Sequence, residues 1–150
     1  MGRRGESWVL VQAILLLLFL VVPRVGPEWT HPDLFRLIGA VLAVTGMLLL
    51  AWSAVNLGRS LTPFPRPLPQ GKLVTGGAYR FVRHPIYFAV LAVCVGLGLA
   101  TWSPLRLALA AALLVFFDLK ARREEIWLQE RYPEYASYRQ RVKKLIPWIY

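Results

Sequence analysis

The chain has 150 residues, 57% of them hydrophobic and only 17% charged, with a mean hydropathy of +0.48. That is room for one compact domain, with too little charge to cover the surface of a soluble one. A net charge of +10 usually points to nucleic acid, but here the basic residues flank apolar blocks, and anionic lipid headgroups account for them without a nucleic-acid partner.

In chain order, the first block has no charge from residue 7 to 23 and predicts a helix over about 8–22. Arg3 and Arg4 before it are compatible with a signal peptide, but Val21-Val22-Pro23-Arg24 is a poor cleavage site and favours a retained helix. Pro23, Gly26 and Pro27 end it. The second block, 37–58, predicts a helix over about 34–57, with Gly39, Ala43, Gly46 and Ala51 small enough for close helix packing. Residues 61–69 hold prolines at 63, 65, 67 and 69, so they predict an extended connector along the membrane surface. A third helix, about 85–102, begins at Pro85, well placed in a first turn, and Ser103-Pro104 turns the chain into a fourth. That fourth helix is apolar only over Leu107–Phe117 and predicts an amphipathic continuation to about 131. Pro133 breaks it before a tail helix over about 134–144. The expected fold is all-α: a single domain over 1–150, a polytopic membrane bundle of about four transmembrane helices with a cytosolic helical C-terminal tail.

Charge placement orients that bundle. With four crossings, fifteen of the eighteen Lys and Arg fall on one side: Arg3 and Arg4, the 58–85 loop, and the segment from 118 onward. Only Arg24, Arg36 and Arg106 fall on the other. Basic residues stay on the cytoplasmic side, so both termini are expected there. Arginine outnumbers lysine 14 to 4, a hint of a GC-rich bacterial source and hence an inner membrane. Cys94 is the sole cysteine, which excludes an internal disulfide and a Cys-rich metal site. His31 and His84 fall on opposite sides, so no metal site is expected.

Two polar clusters remain. The stretch 73–87 combines Gly76 and Gly77 with Tyr79, Arg83, His84 and Tyr87 at the cytosolic mouth of the third helix, whose N-terminus offers free N–H groups to a carboxylate. Arg122-Arg123-Glu124-Glu125 lies at the cytosolic end of the fourth helix, beside the first cluster if the two helices form a hairpin. A zwitterion fits such a pair, its carboxylate toward the basic side and its ammonium toward the glutamates. Taken singly, each cluster reads more readily as a snorkelling flank or a solvated helix face than as a site.

In combination the motifs resemble a known family. Asn56-Leu57-Gly58-Arg59-Ser60, then Leu73-Val74-Thr75-x-Gly77-x-Tyr79-x-x-Val82-Arg83-His84-Pro85-x-Tyr87, then Glu124-Glu125-x-x-Leu128 and Tyr135-x-x-Tyr138, look like the isoprenylcysteine carboxyl methyltransferase family, itself related to membrane phospholipid methyltransferases. The similarity covers about residues 50–148. It implies an S-adenosylmethionine-dependent methyltransferase embedded in the membrane, without a Rossmann domain. Leu73, Val74, Tyr79, His84, Pro85, Ile86 and Tyr87 would line the cofactor pocket, and one of Glu124 and Glu125 would hold the cofactor's amino group. An arginine of the family contacts the lipid-side substrate; Lys120 stands at roughly that place here, with Arg83 and Arg122 as further substrate contacts. Ala78 replaces a common proline, and Tyr132-Pro133 a common Phe-Gly. The resemblance implies a lipidic or small apolar thiol, carboxyl or amine acceptor, arriving from the membrane lipids. Rival readings are an NADPH-dependent reductase of the sterol-reductase type and a non-catalytic scaffold or lipid-binding protein.

Overall fold

The computed structural model describes residues 5–24, 26, 27 and 29–150, so Arg3 and Arg4 lie outside the described residues. The described chain is all-helical, with five α-helices: α1 (Glu6–Val21), α2 (Pro32–Leu57), α3 (Pro85–Ala100), α4 (Pro104–Arg131) and α5 (Tyr135–Arg141). Proline opens α2, α3 and α4 at the position where its missing N–H costs no helical hydrogen bond. Ser103 caps α4, its hydroxyl accepting from the Arg106 N–H at 3.3 Å. Gly58, at φ +50°, turns the chain out of α2, and Tyr132-Pro133 follows the end of α4.

α2 packs along α3, α3 against α4, and α4 against α1. The α2–α3 crossing is backbone on backbone: a side chain on Gly96 would come within 2.6 Å of the Ala43 amide and the Gly39 carbonyl, one on Gly39 within 2.4 Å of the Gly96 carbonyl, and one on Gly46 within 3.0 Å of the Ala89 carbonyl. The core between α3 and α4 gathers Leu91, Cys94, Ala110, Leu113, Phe116 and Phe117, joined by Phe19 from α1 and Leu145 from the tail. At one end of the bundle Trp102 donates to the Pro32 carbonyl at 3.0 Å, with the guanidinium groups of Arg24 and Arg36 over its ring at 4.4 and 4.9 Å. α2 is long and apolar enough to cross a membrane, while α1 and α3 are shorter apolar helices. After Arg106, α4 is apolar to Phe117 and charged beyond it, and it continues unbroken to Arg131 with Lys120, Ala121 and Glu125 buried.

Candidate active site

The polar clusters meet at the end of the bundle opposite Trp102. Gly77 sits at φ +58°, and a Cβ there would strike the Asn56 side chain. That amide oxygen accepts the Ala78 N–H at 2.8 Å, fixing the turn that buries Ala78 and Tyr79. The following residues are held by the tail. Val82 bridges to Lys143, the Arg83 N–H donates to the Lys143 carbonyl at 2.8 Å, and the His84 N–H to the Lys144 carbonyl at 3.0 Å. The backbone of the Arg-His pair is thus fixed before Pro85 starts α3.

The adjacent glutamates differ. Glu125 accepts from Arg83 Nε at 2.8 Å and lies 3.2 Å from His84 Nε2 on the same oxygen, while Arg139 Nε stands 3.6 Å from the other. Arg83 also donates to the Arg139 and Val142 carbonyls. Glu125 lies on the charged part of α4, beyond Phe117. Burial alone would raise its carboxyl, but hydrogen bonding and charge from His84 and Arg83 outweigh burial and hold it at about 2. Glu124 instead accepts from the Tyr87 hydroxyl at 2.6 Å, with His84 Nδ1 3.8 Å away, and its side chain is 25% exposed. His84 stacks on Tyr87 at 5.3 Å, and Tyr87 on Phe117 at 4.8 Å, tying the polar cluster to the core.

Two cavities share a wall here. A narrow cleft of about 80 Å³ lies under the proline-rich connector, lined by Leu73, Val74, Tyr79, Arg83, His84, Glu124, Tyr135 and Tyr138 among others. A chamber of about 400 Å³ lies on the apolar side, lined by Gln12, Leu50, Leu61, Pro63, Ile86, Tyr87, Val90 and Lys120. Leu57, Thr62, Tyr79, His84 and Glu124 face both. Lys120 is buried in the chamber wall and donates to Gln12 Oε1 at 2.5 Å and to the Pro63 carbonyl at 3.0 Å, two neutral oxygens. Tyr135, 1% exposed in the cleft wall, has a hydroxyl with no hydrogen-bond partner. A buried donor of this kind requires a partner, which a water or a ligand can supply.

Of the residues the sequence singled out, Leu73, Val74, Tyr79 and His84 border the cleft, and Tyr79, His84, Ile86, Tyr87 and Lys120 the chamber. Pro85 is buried and faces neither. Arg83 borders the cleft with its guanidinium committed to Glu125 and tail carbonyls. Arg122 lies outside both cavities, bound to Asp118 at 2.8 Å and near the Tyr150 hydroxyl. Sequence reasoning missed Gln12, Asn56 and the Tyr135 hydroxyl as parts of the site. Only Asn56 and Tyr135 carried a signal, as members of quoted motifs. Among the described residues no group of His, Cys, Asp and Glu is arranged to hold a metal ion.

A family model described as phospholipid methyltransferase matches residues 34–135, from the start of α2 through Tyr135. The probable protein-S-isoprenylcysteine O-methyltransferase of Oryza sativa subsp. indica is 30% identical over 97% of this chain and 78% of that protein. The cobalt-zinc-cadmium resistance protein CzcN of Cupriavidus metallidurans is 32% identical over 97% of this chain and 63% of that protein. The 3-oxo-5-alpha-steroid 4-dehydrogenase 1 of Homo sapiens is 28% identical over 82% of this chain but only 45% of that protein. The fold and the matches place the chain among membrane methyltransferases. It belongs to the phospholipid methyltransferase family.

Proposed function

We propose that the chain transfers a methyl group from S-adenosylmethionine, bound in the cleft, to a lipidic acceptor in the chamber, across the wall formed by Tyr79, His84 and Glu124. The observation that carries this is the shared wall itself: a cleft that Lys72 and Arg83 also line and a wider chamber lined by Leu50, Leu61, Ile86 and Val90 back onto the same side chains. The cleft residues suit the cofactor. Glu124 offers a partly exposed carboxylate to an ammonium, Leu73 and Val74 offer apolar surface, and the Tyr135 hydroxyl lacks a partner. The cleft as it stands, at about 80 Å³, is smaller than a typical ligand site of roughly 300–1,000 Å³, so entry of a cofactor requires it to widen. When bound, the cofactor supplies an electrophilic methyl on a sulfonium. Reaction at such a centre depends on alignment and on exclusion of water more than on a strong base. His84, clamped by Glu125 and by its stack on Tyr87, is a rigid part of the wall and not a general base in this scheme.

Glu125 is the positioning carboxylate that holds Arg83 and His84, and Glu124 binds the ligand. Lys120 selects the acceptor. Bonded to neutral oxygens, and with the Glu124 carboxylate on the shared wall taken up by the cofactor's ammonium in this scheme, the Lys120 ammonium attracts an anion and repels a cation. Among thiol, carboxyl and amine acceptors, that favours a carboxylate or thiolate. The acceptor arrives from the bilayer, because α1 and α2 present wide apolar faces such as Leu37, Leu48 and Val55 to the surroundings. In this reading α1 to α4 form a four-span bundle with both termini cytosolic, in a bacterial inner membrane. α1 and α3, at 16 residues, span about 24 Å at 1.5 Å per residue, and interfacial side chains make up the rest. The test is calorimetric titration of detergent-purified protein with S-adenosylhomocysteine and NADPH, followed by mass spectrometry of membrane extract for methylated products. Binding of the first ligand alone, with a methylated lipid, supports the proposal. Binding of NADPH alone turns it toward a reductase, and binding of neither turns it toward a scaffold.

A further inference from the structure

Next to the cleft, with which it shares Arg83, and apart from the chamber, α4 and the tail form a pocket of about 330 Å³ whose charged lining is Arg83, Arg122, Arg139, Lys144 and Glu125. Four cations face one carboxylate there. The nearest further acid, Asp118, lies behind Arg122 and Lys144 and is bonded to both. The pocket therefore keeps an excess of positive charge. Arg83 is used up on Glu125 and backbone carbonyls. Arg122 binds Asp118 through Nε at 2.8 Å and reaches the Tyr150 hydroxyl at 3.4 Å, and Arg139 reaches Glu125 at 3.6 Å, but their side chains are 63% and 49% exposed and neither guanidinium is saturated. Two partly exposed guanidinium groups lining one pocket can offer a phosphate paired donors, which it takes better than a point charge. We propose that this pocket binds a phosphate-bearing anion, held by Arg122 and Arg139 with Lys144 beneath.

Its position explains what would bring that anion. Asp118 and Arg122 follow directly on the apolar stretch of α4, which ends at Phe117. Ile126, 45% exposed, lies in the pocket lining. The tail sets Tyr150 against Asp118 and Lys144, with Trp148 and Ile149 exposed beside it. A charged pocket rimmed by apolar and aromatic side chains at the edge of an apolar helix is suited to a lipid headgroup, and free phosphate offers the same chemistry without the chains. Neither Arg122 nor Arg139 lines the cleft or the chamber, so the site stands or falls apart from methyl transfer.

The test is calorimetry on the full chain in detergent, titrated with short-chain phosphatidylglycerol, with diacylglycerol of the same chain length, and with inorganic phosphate. Saturable binding of phosphatidylglycerol without binding of diacylglycerol is expected. Arg122→Gln and Arg139→Gln are each expected to weaken it about tenfold, as loss of a charge-assisted hydrogen bond would. Arg59→Gln, outside the pocket, should leave it unchanged, and melting temperatures should show all three variants folded. Binding of inorganic phosphate in place of the lipid, with the same loss in both pocket variants, supports the site and identifies soluble phosphate as its source. Equal binding of diacylglycerol, no binding of either phosphate compound, or full affinity in both pocket variants would overturn the proposal.

Discussion

The two halves of the bundle are held together by different physics. In the α2–α3 crossing, Gly39, Gly46 and Gly96 let backbones touch, and stability comes from dispersion over a wide close contact. In the polar cap, buried charges organise the chain: Arg83, His84 and Glu125 pull α3, α4 and the tail to one point. The crossing fixes where the helices lie, and the cap fixes which side chains face the cavities. The comparison also separates two neighbouring carboxylates. Glu125 belongs to the cap as structure, while Glu124, one residue earlier and turned toward the cleft, is left available to a ligand.

Breaking the cap should cost most. Arg83→Ala leaves Glu125 buried beside His84 without its main partner, and a loss of about 3–5 kcal/mol is expected in chemical denaturation. Breaking the crossing comes next. Gly96→Leu forces a side chain into the Ala43 backbone, with an expected loss of about 1–3 kcal/mol and a lower melting temperature in detergent. A third effect distinguishes the halves by pH. The Glu125 carboxyl is lowered from 4.5 to about 2, so its stabilisation is complete above the unfolded value and disappears as pH falls from there toward the folded one. The melting temperature should drop across that window, and Glu125→Gln, although less stable at neutral pH, should show a shallower drop. The smallest effect falls on Tyr135→Phe. It removes a hydroxyl that has no partner, so stability should hold, while S-adenosylhomocysteine affinity falls about twofold to tenfold in the same titration.

The sequence makes the helices legible because apolar blocks and prolines mark them locally: Pro32, Pro85 and Pro104 each open a helix. The meeting of the Arg83–Tyr87 stretch with the glutamates was legible for a similar reason, since a short turn at Ser103-Pro104 makes α3 and α4 antiparallel neighbours. What stayed hidden was decided by packing at long range. Lys120 finds Gln12 and Pro63 across 108 and 57 residues, and Arg83 takes its carbonyl partners from a tail that no pattern ties to it. The different surroundings of Glu124 and Glu125 were likewise unreadable. Successive helical residues point about 100° apart, and only the tail's placement decides which one is enclosed.

That difference is tested most directly by titrating S-adenosylhomocysteine into Glu124→Gln and Glu125→Gln, with the melting temperature of each measured alongside. The account predicts that Glu124→Gln stays as stable as the unaltered protein and binds about tenfold to a hundredfold more weakly, the range for a hydrogen bond to a charged group, while Glu125→Gln loses stability. A stable Glu124→Gln protein that binds with full affinity would contradict it.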